Sequence, residues 1–447
     1  MVTGLHDPDQ GQALPVLHPA CLHAEIRYFC AMKKIHFLVL FLMGTNGWMT
    51  AQNPQDLLQA KIDVVYLSSD YLAGRETATE GEKLAAEYIR HRFESLGLKP
   101  AGLKGGWLYP FNFQETLNPH DTAKRSLGPV KTGNNVLALL DHGAPNTIVI
   151  GAHYDHLGFG GTGSGSLAAN DTSIHNGADD NASGVAGLLA IAAKLKNNLK
   201  AKNNNYLFIA FSGEEKGLFG SNAYTKDSTL FQAGKVNYMI NLDMIGRLNH
   251  EKILAINGVG TSPSWKPRFE NQAMANGMKI SATESGQGPS DHTSFYLKDI
   301  PVLHFFTGQH QDYHKPSDDA HKVNYEGILQ ISDLIIGLIE DLDSKGKLAF
   351  TKTKDESGKR AVAFKVSMGV MPDYLYQEGG MRVDGVTEGR PAALAGLQKG
   401  DIIVKMGEKA IKDIYAYMEA LGSFQKGDRV HVEIKRNGEV KSLEVQF

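Results

Sequence analysis

The chain alternates between short apolar runs and longer stretches whose apolar residues recur at helical spacing. The runs are rich in Val, Ile and Phe, and we predict strands at six of them: 134–140, 146–155, 204–215, 238–246, 252–258 and 300–308. Near-continuous apolar runs suit strands that are buried on both faces. Helical periodicity appears in 55–99, 185–195 and 325–341. This pattern predicts an α/β fold with a mostly parallel mixed sheet sandwiched by helices.

Two further segments divide the chain. Residues 343–361 are polar and lack apolar periodicity, which predicts a linker. Residues 362–447 read as a compact β-rich module, so residues 52–342 form the first domain. A chain of 447 residues is longer than one hydrophobic core usually organises, which agrees with two domains.

The first 51 residues predict a leader. From Met32 there are two lysines, an apolar run from Ile35 to Met43 and a small-residue exit near Ala51, the pattern of a secretory signal peptide. We interpret residues 1–31 as a non-native extension and expect a secreted or periplasmic protein. The apolar run is too short for a stable membrane span.

Composition narrows the candidate partners and ligands. The net charge of −3 gives no reason to expect nucleic acid as a partner. Both cysteines, Cys21 and Cys30, lie in the predicted leader. Cleavage of the leader would remove both cysteines. The exported protein would therefore have to bind any metal through histidine and carboxylate groups.

Acidic residues and histidines follow several predicted strands. His153 and Asp155 follow "TIVIGA", the Glu214–Glu215 pair follows "YLFIAFSG", and Asp243 follows "YMINL". In an open α/β sheet this edge is where ligands bind. Each residue alone could be a cap or a solvated loop end, but together they indicate a site.

Two of these motifs carry recognisable chemistry. In "HYDH" (153–156) we predict His153 as a metal ligand and Asp155 as the carboxylate that orients its ring, since residues two apart on a strand face the same way. His156 would face the other side as a bystander. In "GEE" (213–215) one carboxylate can bind metal while its neighbour holds a water. The alternative is a solvated acidic turn.

The stretch "HNGADDNASG" (175–184) crowds acidic groups immediately before a predicted helix. A helix cap would need one acidic residue and explains only half of the stretch. Two divalent cations about 3.5–4 Å apart need a bridging anion, which a carboxylate supplies. We therefore expect a bridging carboxylate here.

Two downstream segments, "PSDHTSF" (289–295) and "QDYHKPSDD" (311–319), each contain a histidine. We choose His314 as the last metal ligand, with Asp291 hydrogen-bonded to it. Spacing alone does not separate His314 from the other histidines of this region: His292, His304, His310 and His321.

Taken in order, "GAHYDH", "NGADDNASG", "FSGEE", "NLDMIG", "SDHTSF" and "DYHKPSDD" resemble the co-catalytic dizinc aminopeptidase family. This is the family of bacterial leucyl aminopeptidases, with glutamate carboxypeptidase as more distant kin. The resemblance covers about residues 56–340 and implies the zinc exopeptidase fold. It implies two zinc ions per chain and these ligands: His153 and Asp243 for one ion, Glu215 and His314 for the other, and Asp180 for both.

The resemblance also implies roles for the neighbouring groups. Glu214 would be the general base, Asp155 would orient His153, and the Asp180–Asn181 peptide would be cis. The family has a tyrosine shortly before "SDH", whereas residues 284–289 read "ESGQGP". Either zinc alone or another group, such as Tyr313, would then stabilise the oxyanion.

The C-terminal module resembles a PDZ domain of the bacterial, protease-associated type. Its "SMGV" segment would be the carboxylate-binding loop, made by Ser367, Met368, Gly369 and Val370. Such a loop binds a peptide's C-terminal carboxylate, and the peptide adds as an extra strand. The alternative is a packing module that binds nothing.

The combined reading is a secreted dizinc aminopeptidase that acts on peptides. Carboxypeptidase, dipeptidase or glutaminyl cyclase activity on the same fold is the first alternative, and a non-catalytic binding protein is the second. We expect the Gly- and Ser-rich loop 157–176 to be mobile and to border the substrate entrance, unless it is an ordinary surface insertion.

Overall fold

The computed structural model describes residues 53–114, 128–161, 164–168, 171–269, 277–353, 366–373, 376, 379–386 and 389–447. The predicted leader, residues 1–51, lies outside this part of the chain.

A nine-stranded sheet forms the centre of the first domain, with strand order β1-β3-β5-β4-β6-β9-β7-β8 and β2 paired with β3. The four central strands, β5, β4, β6 and β9, are parallel, whereas β3 and β7 pair with their neighbours in this group in antiparallel fashion. The predicted mixed sheet is confirmed, with its parallel pairing concentrated in the centre. The strands are β1 Lys99–Pro100, β2 Leu108–Phe113, β3 Lys131–Leu140, β4 Thr147–His153, β5 Asn205–Phe211, β6 Val236–Leu242, β7 Ile253–Asn257, β8 Lys279–Thr283 and β9 Val302–Phe306.

Helices cover both faces of this sheet. They are α1 Pro54–Leu67, α2 Glu80–Ser95, α3 Gly184–Lys196, α4 Phe219–Lys226, α5 His292–Tyr296 and α6 Tyr325–Leu342. Side chains cap several helix starts: Asn53 accepts a hydrogen bond from Gln55 N at 3.1 Å, and Asn324 accepts one from Gly327 N at 2.9 Å.

The alternation of side chains along the strands explains the two layers. On β4, Ile148 and Ile150 pack in the core formed with α1, α2, α3 and α6, while Val149 faces the opposite core. That second core includes Tyr224 of α4 and Phe295 of α5. The sandwich of helices around the sheet is therefore confirmed.

The N-terminal helical region is interrupted, which differs from the continuous periodicity of residues 55–99. Between α1 and α2 the chain forms irregular turns in which Arg75 takes a positive φ of 49°. The side chain of Arg75 is buried, and this segment contacts the loop that follows β4. A local helical pattern cannot reveal this contact, because its partner lies far away in sequence.

The structure also differs in part from the predicted linker at residues 343–361. Leu348 is buried and Phe350 packs against the second core of the first domain. Thr351 N donates to Thr261 O at 2.8 Å. Residues 348–353 therefore belong to the first domain, and residues 354–361 lie outside the described part of the chain.

The C-terminal module is built on a six-stranded antiparallel sheet with order β10-β11-β12-β14-β15 and β13 paired with β12. It has its own hydrophobic core, which includes Met368, Val383 and Ile434. This confirms the predicted β-rich domain. Its elements are β10 Val370–Pro372, β11 Met381–Val386, α7 Pro391–Leu394, β12 Ile402–Met406, β13 Lys409–Ala410, α8 Ile414–Leu421, β14 Arg429–Arg436 and β15 Glu439–Gln446.

Each helix in the described residues is too short or too polar to cross a membrane.

Candidate metal centre

The carboxyl ends of three adjacent parallel strands bring the predicted polar residues together. His153 is the last residue of β4, Glu214 and Glu215 follow β5, and Asp243 follows β6. Because β4 lies between β5 and β6, these side chains converge at one edge of the sheet. The structure therefore places the predicted cluster where the sequence pattern put it.

Asp180 enters this cluster from the turn at residues 178–183, which precedes α3. Its Oδ1 lies 3.3 Å from His153 Nε2, and its Oδ2 lies 3.2 Å from His314 Nε2. The Asp180–Asn181 peptide bond is cis, as the resemblance implied. Asp180 therefore faces one histidine with each carboxylate oxygen.

The turn that presents Asp180 depends on Gly177 and Asp318. Gly177 has a positive φ of 55°, and a Cβ atom there would lie 2.1 Å from the backbone oxygen of Asp180. Asp318 Oδ2 accepts hydrogen bonds from the backbone N–H groups of Asp179 and Asp180, at 2.9 and 3.0 Å. This carboxylate fixes the turn from behind.

Asp155 lies beside His153, as predicted, but its backbone is the closer group. His153 Nδ1 is 3.2 Å from the Asp155 carbonyl oxygen and 3.7 Å from its Oδ1. The carboxylate itself accepts hydrogen bonds from Thr77 Oγ1 at 2.9 Å and from Glu214 N at 3.3 Å. Asp155 therefore links His153 to the turn that carries Glu214.

His156 is part of the cluster, so the prediction that it faces away is wrong. Its Nδ1 lies 2.8 Å from Glu215 Oε1, and the residue is fully buried. The reason is that β4 ends at His153, so strand alternation no longer applies at residue 156. Glu215 Oε2 also lies 3.2 Å from His314 Nε2. Burial acts to raise the pKa of Glu215, but His314 and His156 outweigh it and bring the pKa to about 2.

Glu214 and Asp243 lie on the His153 side of the cluster. Asp243 Oδ1 is 3.3 Å from His153 Nε2, and Asp243 Oδ2 accepts a hydrogen bond from Ser290 Oγ at 2.7 Å. Burial raises the pKa of Glu214 well above its ordinary value; His153 opposes this rise, and the nearby carboxylates of Asp243 and Glu215 add to it. Glu214 is thus a partly buried carboxylate in an acidic neighbourhood that favours its protonated form.

Asp291 does not contact His314, so that prediction is wrong. His314 Nδ1 lies 3.0 Å from Gly165 O, while its Nε2 faces Asp180 and Glu215. Both ring nitrogens of His314 are therefore engaged elsewhere. Asp291 is buried at the start of α5, where burial raises its pKa to about 7, with Asp155 and Asp243 adding to the rise and His153 opposing it.

Three groups around the cluster are not among the predicted site residues. Ser290 donates to Asp243, Thr77 donates to Asp155, and the guanidinium of Arg75 donates to backbone carbonyls on both sides of the site. Ser290 stands directly before Asp291 in the "SDH" motif, so its position offered a signal. Thr77 and Arg75 lie in an irregular segment whose contacts have no local sequence pattern.

The donor set fits divalent cations. Two groups place their potential ligand atoms within 4.8 Å of one another: His153, Asp180 and Glu215, and His153, Glu214 and Asp243. Histidine nitrogens and carboxylate oxygens are the ligands that zinc takes in sites without cysteine. Four clustered carboxylates repel one another unless cations neutralise them, so the residues present suit a metal centre.

The cluster lies in a cleft that is open to solvent. Tyr313 lines the cleft and stacks on His314, with ring centroids 3.8 Å apart. The loop that follows β4 also reaches His314: Gly165 O lies near its ring, and Leu167 N donates to its carbonyl oxygen at 3.0 Å. These contacts support the expectation that loop 157–176 borders the site; its mobility stays a prediction.

Residues 135–339 match the family described as Peptidase family M28, and residues 354–447 match the PDZ domain. Residues 135–339 therefore form a domain of the peptidase family M28 type, and a PDZ-type domain follows it. The M28 match covers the strands and turns that carry the whole cluster.

Curated relatives extend this comparison. The chain is 30% identical over 206 residues to the alkaline phosphatase isozyme conversion protein of Escherichia coli (strain K12), which covers 46% of this chain and 56% of that protein. It is 26% identical over 231 residues to aminopeptidase YwaD of Bacillus subtilis (strain 168), covering 49% and 46%. The chain therefore spans about half the length of the curated relatives it matches.

A solved structure shows the same fold as the M28 domain. The structure of a zinc aminopeptidase from Bacillus subtilis superposes with a TM-score of 0.51 and 17% identity, covering 66% of this chain and 98% of that one. At this identity the likeness concerns the fold alone.

Proposed function

We propose that this protein is a zinc-dependent aminopeptidase that removes N-terminal residues from peptides. The observation that carries the proposal is the position of Asp180, whose two carboxylate oxygens lie 3.3 Å from His153 Nε2 and 3.2 Å from His314 Nε2. A carboxylate placed between two sets of nitrogen and oxygen ligands suits a pair of cations. One of the curated relatives is named as an aminopeptidase, and this supports the proposal that peptides are the substrates.

In this proposal the cluster would hold two zinc ions. His153 and Asp243 would bind one ion, Glu215 and His314 would bind the other, and Asp180 would contribute a carboxylate oxygen to each. When bound, zinc supplies positive charge that polarises a carbonyl group and makes a water molecule more acidic.

Glu214 acts as the general base. Its carboxylate lies in the cleft beside His153 and Asp243, and its raised pKa makes it a stronger base than an ordinary glutamate. It takes a proton from the attacking water and returns that proton to the amine of the leaving peptide. No other acid is then needed to protonate the leaving amine.

Asp155 positions the site and takes no part in proton transfer. Thr77 and the backbone N–H of Glu214 hold its carboxylate, and its carbonyl oxygen faces His153 Nδ1. This arrangement keeps His153 Nε2 directed at Asp180 and Asp243. Such supporting contacts typically change metal affinity by about 10- to 100-fold.

The test is hydrolysis of a panel of aminoacyl and N-blocked peptides by protein reconstituted with zinc. Release of free N-terminal amino acid from unblocked peptides alone supports the aminopeptidase. Cleavage of N-blocked peptides at the C-terminus indicates a carboxypeptidase, and turnover restricted to dipeptides indicates a dipeptidase. Formation of a pyroglutamyl product indicates a glutaminyl cyclase, and absence of any turnover indicates a binding protein.

We further propose that the PDZ domain binds a peptide's C-terminal carboxylate at Ser367–Val370. Gly369 in this loop has a positive φ of 73°, and its N–H donates to Ser367 Oγ at 3.2 Å. Among the described residues β10 is an edge strand of its sheet, so a peptide strand could be added to it. Binding of a labelled peptide that is lost on C-terminal amidation tests this proposal.

Export through a leader that ends at Ala51 is also proposed. The N-terminal sequence of the protein recovered from its natural compartment tests it, and we expect that sequence to begin at Gln52.

A further inference from the structure

A row of polar residues crosses four adjacent strands next to the metal cluster. Asn241 on β6 is paired with His304 on β9, His304 with Asn257 on β7, and Asn257 with Thr283 on β8. Residues paired in register place their side chains on the same face of a sheet. The row therefore leads from the neighbourhood of Asp243 towards the edge of the sheet.

The hydrogen bonds at the inner end of the row define which ring nitrogen of His304 carries the proton. Ser290 Oγ donates to Asp243 Oδ2, so it must accept from Asn241 Nδ2, which lies at 2.8 Å. The same Nδ2 lies 3.1 Å from His304 Nδ1 and donates to it. His304 Nδ1 therefore has no proton, and the ring proton is on Nε2. Burial lowers the pKa of His304 to about 4, which agrees with a neutral ring.

At the outer end of the row, the side-chain amide of Asn257 supplies a second hydrogen-bond donor. Asn257 Oδ1 accepts a hydrogen bond from Thr283 Oγ1 at 2.6 Å, which directs the amide nitrogen away from Thr283. Among the described residues, neither Asn257 Nδ2 nor His304 Nε2 has a hydrogen-bond partner. Both residues line the cleft that contains the metal cluster. Two neighbouring N–H donors are thus available to a bound molecule.

The surroundings of this row select among possible acceptors. Met244 and Phe306 pack together with Tyr313 and supply apolar surface to the cleft, and the Phe306 ring stacks beside His304 with ring centroids 6.0 Å apart. None of the described residues that line the cleft is Lys or Arg. A carboxylate would lose its hydration here without gaining a cation from these side chains, whereas a neutral amide oxygen needs only the two donors.

We propose that His304 and Asn257 bind the side-chain amide oxygen of the substrate's first residue, so that the enzyme prefers peptides that begin with Gln or Asn. This inference rests on the proposed aminopeptidase function. The methylene groups of that side chain contact Met244 and Phe306, and its oxygen accepts from His304 Nε2 and Asn257 Nδ2.

Peptides that differ only in the first residue test the preference. Gln, Glu and Met have side chains of similar length, so kcat/KM for the three isolates the effect of the terminal group. We expect Gln to exceed Met and Glu by roughly tenfold or more, as two added hydrogen bonds allow. Values for Met or Leu equal to or above that for Gln would overturn the proposal.

The variant Asn257→Asp replaces the donor by an acceptor of the same shape, and Thr283 can still donate to it. We expect the Gln preference over Met to fall several-fold and Glu to become the poorest of the three. Asn249→Asp makes the same chemical change at an exposed position outside the cleft. It should keep the wild-type ratios. Unchanged ratios in Asn257→Asp would contradict the role of this residue.

Product binding separates this inference from the proposed function. Calorimetry with free L-glutamine and L-methionine on the zinc-loaded protein should show tighter binding of glutamine, and Asn257→Asp should remove the difference. Glutamine binding without aminopeptidase turnover would contradict the proposed function but support the proposed binding site for the first side chain. Turnover of many peptides with no glutamine preference in either assay would contradict this binding site but support the proposed function.

Discussion

Asp179 and Asp180 are adjacent in the chain, yet their carboxylates have different partners. Asp179 Oδ1 accepts from Gly246 N at 2.6 Å, and its Oδ2 lies 3.1 Å from His310 Nε2. Asp180 instead faces His153 and His314 in the cleft. The acidic pair therefore combines a structural residue with a candidate metal ligand, which explains why both acids stand together.

This division predicts that Asp179→Asn lowers stability without removing metal. The substitution places an amide group opposite His310 and weakens a buried set of hydrogen bonds, at a cost of about 1–3 kcal/mol in the free energy of unfolding. Urea denaturation and metal content measured on the same preparation check it. Loss of metal with unchanged stability would assign Asp179 to the metal site instead.

Glu214→Gln should abolish turnover while metal content stays at the wild-type level. The amide cannot accept a proton, and loss of a general base lowers kcat by about 10²- to 10⁴-fold. Because Glu214 lies within 4.8 Å of His153 and Asp243 ligand atoms, metal content must be measured alongside the rate. Turnover at the wild-type rate would refute its role as the base, and loss of metal would make it a ligand.

His156→Phe should weaken metal binding although His156 is not a proposed ligand. Its Nδ1 lies 2.8 Å from Glu215 Oε1 and holds that carboxylate in place. We expect zinc affinity, measured by competition with a chelator, to fall about 10- to 100-fold. The exposed His321 offers a matched control, since His321→Phe should leave affinity unchanged. Equal affinity in the two variants would contradict this account.

Arg75→Lys should destabilise the first domain. The buried guanidinium donates to the carbonyl oxygens of Tyr154 at 2.7 Å, Asn176 at 2.6 Å and Gly177 at 3.1 Å. A lysine ammonium cannot reach them with the same fork of donors, and we expect a loss of about 2–4 kcal/mol in the free energy of unfolding.

Arg90→Lys is the control for this substitution. Arg90 lies on α2 and pairs with the more exposed Glu87 and Glu94. Such pairs contribute little, so the change should stay within about 0.5 kcal/mol. A similar effect of the two substitutions in chemical denaturation would argue against the role given to Arg75.

The sequence predicted the parts of the site that depend on strand ends. Buried apolar runs identify the central strands, and their carboxyl ends bring His153, Glu215 and Asp243 to one edge. The acidic stretch before α3 likewise predicted a metal-binding carboxylate, which corresponds to Asp180. These features follow from local pattern and from the geometry common to parallel sheets.

The sequence could not predict contacts that depend on the exact end of a strand or on long-range pairing. His156 turns inward because β4 stops at His153, two residues before the end of the predicted strand 146–155. The row formed by His304 and Asn257 exists only because β7 pairs with β9 in antiparallel fashion. No local pattern in "KILAING" or "IPVLHFFTG" specifies that pairing or its register.

The number of metal ions bound per chain in the wild type and in Asp180→Ala tests the central claim most directly. After zinc reconstitution and dialysis, elemental analysis should give two ions per wild-type chain and fewer than one per variant chain, with the far-UV circular dichroism spectrum retained. A wild type that binds no zinc, or a variant that still holds two ions, would contradict the account.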